Sequence, residues 1–196
     1  MVLRFKDVPI LAAPAMSFPL SDKRKTGLLP PTMGIDSTSG VVYSQPFYWN
    51  IAPQYDATIS PTLMAKRGLD MRTQFRYLGE DYTGQIRYNY LGNDRVRDED
   101  RWGLRWQHDA LYRTELPGLS RIGLHLNYNQ VSDSNYWRDF SEFNQNDWMQ
   151  RLLPRDFKID WRDGGYSGLL RVTKWQTLQD DDSIILPPYD LSLIHI

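Results

Sequence analysis

Apolar side chains recur at every second residue over much of this chain, and this period of two restricts the fold more than any other feature. In the run from Leu69 to Tyr77 the odd positions are mostly apolar. The even positions of that run are polar: Asp70, Arg72, Gln74 and Arg76. Alternation at this period predicts β-strands with one apolar and one polar face. Frequent glycine and proline, and the scarcity of helical spacing, agree with an all-β fold.

Turn residues divide the alternating runs into strands. A second alternating run follows residues 79–81, so the two runs predict an antiparallel hairpin. We expect about nine strands, near residues 26–33, 41–49, 56–64, 69–78, 82–91, 102–110, 121–130, 149–162 and 166–178.

Alternation is compatible with a soluble β-sandwich or with a transmembrane β-barrel. Several predicted strands reach about 9 or 10 residues, the length of a tilted membrane strand. Aromatic residues lie near strand ends, as in an interfacial girdle: Tyr77, Tyr82, Tyr90, Trp102 and Tyr128. The connections alternate between a longer set (about 7, 4, 10 and 18 residues) and a shorter set (about 6, 3, 9 and 3). These features favour an antiparallel transmembrane barrel, and an odd number of strands predicts that only part of it is present.

Composition excludes several other classes of protein. Lysine and arginine total 23 against 24 acidic residues, so no basic field favours nucleic acid. The absence of cysteine excludes a disulfide scaffold and a thiolate nucleophile within this sequence. The apolar stretch at 10–16 is too short for a membrane helix, and no leader peptide is recognisable, which predicts either a cytoplasmic protein or a piece of a longer exported one.

Enzymatic chemistry is not predicted. The histidines His108, His125 and His195 are far apart in sequence, without the spacing of metal ligands. The acidic runs at 98–100 and 180–182 fall in predicted loops, where solvation explains them. We therefore expect no catalytic residue, no metal and no cofactor.

Short motifs in a fixed order carry a resemblance to a known family. They are FYWNIAP at 47–53, DAT at 56–58, KRG at 66–68, FRYL at 75–78, VPI at 8–10, SFPL at 17–20, KRKTG at 23–27, VSD at 131–133 with Tyr136, KWQTL at 174–178 and PPY at 187–189. Over roughly residues 2 to 190 the sequence resembles the LptD family, the lipopolysaccharide-assembly proteins of the Gram-negative outer membrane.

The resemblance implies two domains. Residues 1–20 would be the last strands of a periplasmic β-jelly roll, and residues 21–190 the first part of an outer-membrane barrel. Residues 191–196 do not continue the family pattern and stay unassigned, with a non-native tail as one explanation. The cysteines by which some members tie the two domains together are absent here.

The resemblance also implies a function and partners. Lipopolysaccharide would pass through the barrel lumen and leave by a lateral gate between the first and last strands, reaching the outer leaflet. The plug lipoprotein LptE would fill the lumen, and the periplasmic bridge protein LptA would join through the missing part of the jelly roll. The alternatives are a general diffusion pore and a soluble carbohydrate-binding sandwich that exposes Trp102, Trp106 and Trp175.

Two prolines are the predicted gate residues. Pro31 is placed in the first barrel strand and Pro46 in the second, and both match family positions. Proline has no backbone N–H to donate to a β-ladder, so each would weaken the seam. The alternative is that they lie at strand ends or bulges and serve shape alone.

A polar set on one face is predicted to contact lipopolysaccharide or the plug: Asp70, Arg72, Gln74, Arg76, Arg87, Arg105 and Arg121. The alternative is that these arginines pair with acids of the same face, such as Asp70 and Asp109. On the jelly-roll side, Val8, Ile10 and Leu11 are candidates for an acyl-chain groove, although apolar strand residues usually form core.

Overall fold

The structure, a computed structural model, describes residues 2–5, 8–12, 24–116, 119–140, 152–178 and 190–195. Side chains are described for 24–116, 119–136, 139–140 and 152–178. Within these ranges the chain is almost entirely β-strand, with one turn of helix. An all-β, antiparallel fold is therefore confirmed.

The strands are β1 (Val2–Phe5), β2 (Val8–Ala12), β3 (Gly27–Leu28), β4 (Thr32–Asp36), β5 (Gly40–Ser44), β6 (Phe47–Ala52), β7 (Tyr55–Met64), β8 (Gly68–Leu78), β9 (Tyr82–Asp94), β10 (Glu99–Leu116), β11 (Leu119–Val131), β12 (Leu152–Asp163), β13 (Tyr166–Thr177) and β14 (Asp190–His195). The helix α1 (Tyr136–Asp139) follows β11.

Two antiparallel sheets contain all of these strands. The first consists of β1 and β2 alone. The second has twelve strands, in the order β14-β13-β12-β11-β10-β9-β8-β7-β5-β4, with β6 beside β7 and β3 beside β6. Because β5 and β6 pair with opposite halves of β7, they form one interrupted strand, and β3 with β4 forms another. The larger sheet thus has an open edge at β3 and β4.

If β3 with β4, and β5 with β6, are each counted as one strand, the larger sheet has ten strands. Nine of them correspond to the predicted strands, and the tenth is β14. This tenth strand pairs with β13 and lies in the segment that the sequence leaves unassigned. The sheet is open in this chain, so its closure into a barrel stays a prediction.

Four of the predicted connections are longer than those in the structure. The connection at 34–40 shrinks to 37–39, and the one at 50–55 shrinks to 53–54. The connection at 92–101 shrinks to 95–98, where Asn93 and Asp98 adopt positive φ angles of 53° and 56° around the turn. The connection at 111–120 falls mostly within β10 and β11. Backbone pairing continues past the last alternating apolar residue because it does not depend on apolar side chains. The alternation of long and short loops is consequently weaker than the sequence predicts.

The larger sheet has two chemically different faces. Large apolar side chains of one face have no protein cover; Ile35 is 87% exposed and Met33 72% exposed. The opposite face carries the polar positions of the alternating runs. Within the described residues, no helix is long and apolar enough to cross a membrane.

The buried apolar cluster lies at one end of the polar face. It consists of Met64, Leu91, Val131, Tyr136, Phe140, Leu153 and Leu178. Met64, Leu91 and Val131 are polar-face positions at or near the C-terminal ends of β7, β9 and β11. Tyr136 and Phe140 come from the segment after β11, so that segment folds back over the polar face.

Candidate functional site

Prolines interrupt the first two strands of the larger sheet at neighbouring positions. The segment 29–31, which contains Pro30 and Pro31, connects β3 to β4 and faces only two residues, Gln45 and Pro46. Three residues opposite two form a β-bulge, which bends a strand and interrupts its ladder. The prediction that the two gate prolines lie inside strands is corrected, because both occupy the breaks between paired segments.

The bulge leaves incomplete pairs on both sides of Gln45. The Leu29 N–H donates to Pro46 O at 2.9 Å, but Pro46 has no N–H to return that bond. Instead, Gln45 Nε2 donates to Leu29 O at 2.8 Å. On the other side, the Gln45 N–H donates to Pro61 O at 3.1 Å, and Pro61 likewise cannot reciprocate.

Prolines therefore lie in neighbouring positions of three adjacent strands: β3 with β4, β5 with β6, and β7. We call Pro30, Pro31, Pro46 and Pro61 the proline row. Two pairs in this row, Leu29 with Pro46 and Gln45 with Pro61, each lack one backbone bond. Each such bond contributes about 0.5–1.5 kcal/mol net. Pro61 is not among the predicted gate residues, although a proline in the next strand, 15 residues after Pro46, is visible in the sequence.

Three of the five predicted lumen arginines pair with carboxylates of the polar face. The pairs are Arg72–Asp70 at 2.6 Å, Arg76–Asp56 at 2.7 and 2.8 Å, and Arg121–Asp160 at 3.3 Å. Asp109, the other expected acid, lies 2.6 Å from the imidazole of His125 instead. For these three arginines the geometry favours a structural pairing.

Arg87 and Arg105 are placed differently, because they lie directly opposite each other on β9 and β10. Arg105 Nε donates to Asn129 Oδ1 at 2.9 Å. Arg87 Nε is buried and has no hydrogen-bond partner in the part of the chain that the structure describes. Two like charges at opposite positions are unfavourable in a sheet.

Next to the two arginines on the polar face, three glutamines form hydrogen bonds across β8, β9 and β10. Gln74 Nε2 donates to Gln85 Oε1 at 3.2 Å, and Gln85 Nε2 donates to Gln107 Oε1 at 2.6 Å. The predicted contact residue Gln74 is thus part of a cross-strand amide ladder.

A groove of about 360 Å³ connects the proline row with the two opposed arginines. One side reaches Pro46, and the other reaches Arg87 and Arg105. Hydroxyl groups line the floor between them: Thr32, Ser44, Thr58, Ser60 and Thr62. The groove therefore offers hydroxyl and guanidinium groups on the same surface.

The segment 132–140, here called the cap, closes one end of the polar face. Tyr136 and Phe140 pack with ring centroids 4.6 Å apart within the buried apolar cluster. Tyr136 also hydrogen-bonds the Asn89 side chain. Burial raises the pKa of Tyr136, and the nearby charge of Asp70 adds to that effect. The phenol therefore stays neutral and fixes the cap to β9.

A network of buried charges holds the cap. We call it the ionic latch, and its members are Arg67, Asp94, Arg101, Asp133 and Asp139. Arg101 contacts Asp133 at 2.8 Å, Asp139 at 2.6 Å and Asp94 at 3.2 Å. Arg67 contacts Asp94 at 2.5 Å and Asp139 at 3.2 Å. The latch thus ties the β7–β8 turn and the β9–β10 turn to the cap.

Aromatic rings and hydrogen bonds support the charges of the latch. The Arg101 guanidinium lies 4.8 Å from the Phe140 ring centroid and 5.5 Å from that of Tyr136. Burial opposes ionisation of Asp133, but hydrogen bonds from Arg101 and Ser132 outweigh burial and hold its pKa below the usual value. Asp133 is therefore charged at neutral pH.

The latch is not among the predicted sites, because its members are scattered from position 67 to position 139 without a local pattern. Two motifs that carry the family resemblance, KRG at 66–68 and VSD at 131–133 with Tyr136, nevertheless fall on it. That coincidence is the one sequence signal that points to it.

The predicted acyl-chain groove is not tested by the described structure, and the histidines are not brought together in it. Val8, Ile10 and Leu11 belong to β2, and their side chains lie outside the described residues. His108 lies 2.8 Å from Tyr77 Oη on the apolar face, whereas His125 is on the polar face. Within the described ranges, no group of three or more histidine and acidic side chains is arranged to hold a metal ion.

These features define a class of protein: an all-β protein whose main antiparallel sheet has a polar and an apolar face, a weakened edge and a capped end. The model of the family described as LptD protein matches residues 1–147. The chain belongs to the LptD family.

Individual relatives agree with this assignment. The chain is 53% identical over 195 residues to the LPS-assembly protein LptD of Acidovorax sp. (strain JS42), covering 96% of this chain and 24% of the relative. It is 53% identical to the protein of the same name from Paracidovorax citrulli (strain AAC00-1), covering 96% of this chain and 23% of the relative. For that of Bordetella pertussis (strain Tohama I) the identity is 41%, with 96% and 23% covered. The chain thus spans about a quarter of the length of these relatives.

Proposed function

We propose that this chain is part of an outer-membrane protein that assembles lipopolysaccharide at the outer leaflet. The names of its relatives, which are LPS-assembly proteins, support this function. The observation that carries the proposal is the proline row beside the open edge of the larger sheet. In this proposal the apolar face contacts lipid, and the polar face lines the lumen of a barrel that strands outside this chain complete.

The edge formed by β3 and β4 is the first-strand side of a lateral gate. A strand from outside this chain would pair with this edge, and lipid would leave when the two separate. The missing bonds extend two strands inward from the edge, through Pro46 to Pro61. Pro31, in the bulge, and Pro46, opposite it, therefore favour local opening without loss of the whole sheet.

The capped end supports a lateral route. The cap covers the polar face at the end of β7, β9 and β11, where a molecule moving along the lumen would otherwise leave. A diffusion pore would share the two-faced sheet but would have no need of a weakened edge beside a capped end. Membership of the LptD family also argues against the soluble carbohydrate-binding sandwich.

The partners follow from the same proposal. The polar face receives the plug lipoprotein LptE and the lipid headgroup, with Asp70, Arg72, Gln74, Arg76, Arg87, Arg105 and Arg121 as the contact set. Residues 1–20 belong to a periplasmic jelly roll, whose missing part contacts LptA, and Val8, Ile10 and Leu11 line its acyl-chain groove. Residues 21–190 belong to the barrel. The protein moves lipid and is not an enzyme.

The proposal is tested by replacing the two gate prolines in the full-length protein, as the sole copy in the cell. We expect the double substitution Pro31→Ala with Pro46→Ala to slow the arrival of lipopolysaccharide at the cell surface, because a better-paired edge opens less often. The matched control is Pro154→Ala, which changes a strand proline in β12, far from the edge. Unchanged export in the double variant, with normal protein levels, would contradict the gate.

A further inference from the structure

The side chain of Arg87 is the least satisfied of the predicted contact set. Its Nε atom is buried and lacks a hydrogen-bond partner within the described residues. Guanidinium groups carry five N–H donors and no acceptor, so such a group is satisfied only by a hydrogen-bond acceptor. The directly opposite cross-strand residue is Arg105, another cation, and the neighbour on β8 is Gln74.

The surroundings of Arg87 favour an anion over a neutral acceptor. A multiply charged anion between Arg87 and Arg105 would turn their mutual repulsion into a shared attraction. Arg72 lines the same groove, whereas no carboxylate lines it among the described residues. The arginine fork matches both carboxylate and phosphate, and phosphate is favoured here because it carries more charge for the several arginines that line the groove.

The rest of the groove indicates what chemical group carries the phosphate. Serine and threonine hydroxyls line it from the arginines to the proline row, including Thr62, which donates to Ser44 Oγ at 2.9 Å. Such a surface can exchange hydrogen bonds with sugar hydroxyls. Arg87 on β9 and Gln45 beside β5 are separated by three interstrand spacings, about 14 Å, across the sheet and by three residues, about 10 Å, along the strands, which is about 17 Å in all. A phosphorylated sugar bound along the groove would therefore reach from the arginines to the weakened edge.

We propose that Arg87, together with Arg105, binds a phosphate group of a phosphorylated glycolipid headgroup while its sugar rings lie along the hydroxyl-lined groove. This inference rests on the proposed function and adds the group that is recognised. It also gives an orientation, since the headgroup is held on the polar face while the acyl chains face the proline row.

The test compares Arg87→Gln with Arg113→Gln in the full-length protein in detergent. Arg113 is an exposed arginine of the same strand as Arg105 and does not line the groove. The probes are purified lipopolysaccharide, the same lipopolysaccharide after chemical dephosphorylation, and inorganic phosphate as a competitor. Retention of labelled lipid on immobilised protein is measured.

We expect Arg87→Gln to weaken binding of the phosphorylated probe about tenfold or more, because a charge-assisted hydrogen bond is lost. Binding of the dephosphorylated probe stays unchanged, and Arg113→Gln alters neither. Competition by inorganic phosphate alone would identify the phosphate as the recognised group, and competition only by the intact lipid would show that the sugar is needed as well; both support the site.

Equal binding of the two lipid probes to the unsubstituted protein would overturn the inference. A second result would also overturn the inference: the Arg87→Gln variant still prefers the phosphorylated lipid but no longer binds the plug lipoprotein. Arg87 would then contact a protein and not a phosphate. Neither result affects the gate, which is judged from export in the proline variants. Conversely, normal export in the proline variants would overturn the gate and leave the phosphate preference of Arg87 measurable.

Discussion

The proline row and the ionic latch belong to the same sheet but differ in how firmly they hold it: the row lacks backbone hydrogen bonds, whereas the latch adds buried ion pairs. At the row, backbone bonds are absent from two pairs, and one glutamine side chain replaces one of them. At the latch, two arginines and three aspartates hold the cap with every member buried or nearly so. The comparison indicates that the sheet is weak where its edge is proposed to open and fixed where its end is closed.

The latch resists opening because separating its charges would leave buried ions without partners. Asp94 and Arg101 are 0% exposed, so neither charge is solvated by water if its partner is lost. A buried ion pair adds little net stability compared with apolar packing, but removal of one partner leaves an uncompensated charge. The latch therefore favours one position of the cap, whereas the proline row leaves fewer backbone bonds to hold the edge.

The largest expected effect comes from Arg101→Ala, which removes the cation that contacts three carboxylates. We expect the free energy of unfolding to fall by about 3–5 kcal/mol, because buried carboxylates lose their partner. Denaturation of the full-length protein in micelles, followed by tryptophan fluorescence, measures this change.

Arg97→Ala is the matched control for Arg101→Ala. Arg97 contacts the same aspartate, Asp139, at 3.4 Å, but its side chain is 37% exposed. An exposed pair of this kind contributes less than about 1 kcal/mol. If both substitutions had the same small effect, burial would not be what fixes the cap.

Acid is expected to loosen the cap more mildly, through Asp133. Its pKa is lowered in the folded protein, so its charge stabilises the cap above the ordinary aspartate pKa of about 3.9 and this contribution is lost as the pH falls. Hydrogen exchange of the 132–140 peptide, corrected for the intrinsic effect of pH, should accelerate as the pH falls below about 4 toward the lowered pKa of Asp133.

The control for this acid effect is Asp133→Asn, which cannot ionise. Its cap should exchange faster than that of the unsubstituted protein at neutral pH and show no further step in acid. A step of equal size in both proteins would assign the acid effect to another group.

Period-two alternation is sufficient to predict the faces of the sheet and most of its strands, because side-chain direction depends on position within a strand. It correctly separates Arg72 and Arg76 from Met71 and Phe75. It does not predict the bulge opposite Gln45, since the register of two strands depends on pairing that no single run of residues contains. The latch is hidden for the same reason, because turns far apart in sequence bring its charges together.

The smallest expected effect concerns Gln45, and it tests whether the proline row and the cap open independently. Its side chain supplies the donor that Pro46 lacks, so Gln45→Ala removes the remaining bond to Leu29 O. A net loss of about 1 kcal/mol is expected locally, and the amide of Leu29 should exchange roughly fivefold faster. Exchange within the cap should stay unchanged, as should all exchange in the control Gln54→Ala, which alters a turn residue. If exchange in the cap accelerated together with that of Leu29, the edge and the latch would open as one unit, and the contrast between a weak edge and a fixed end would be wrong.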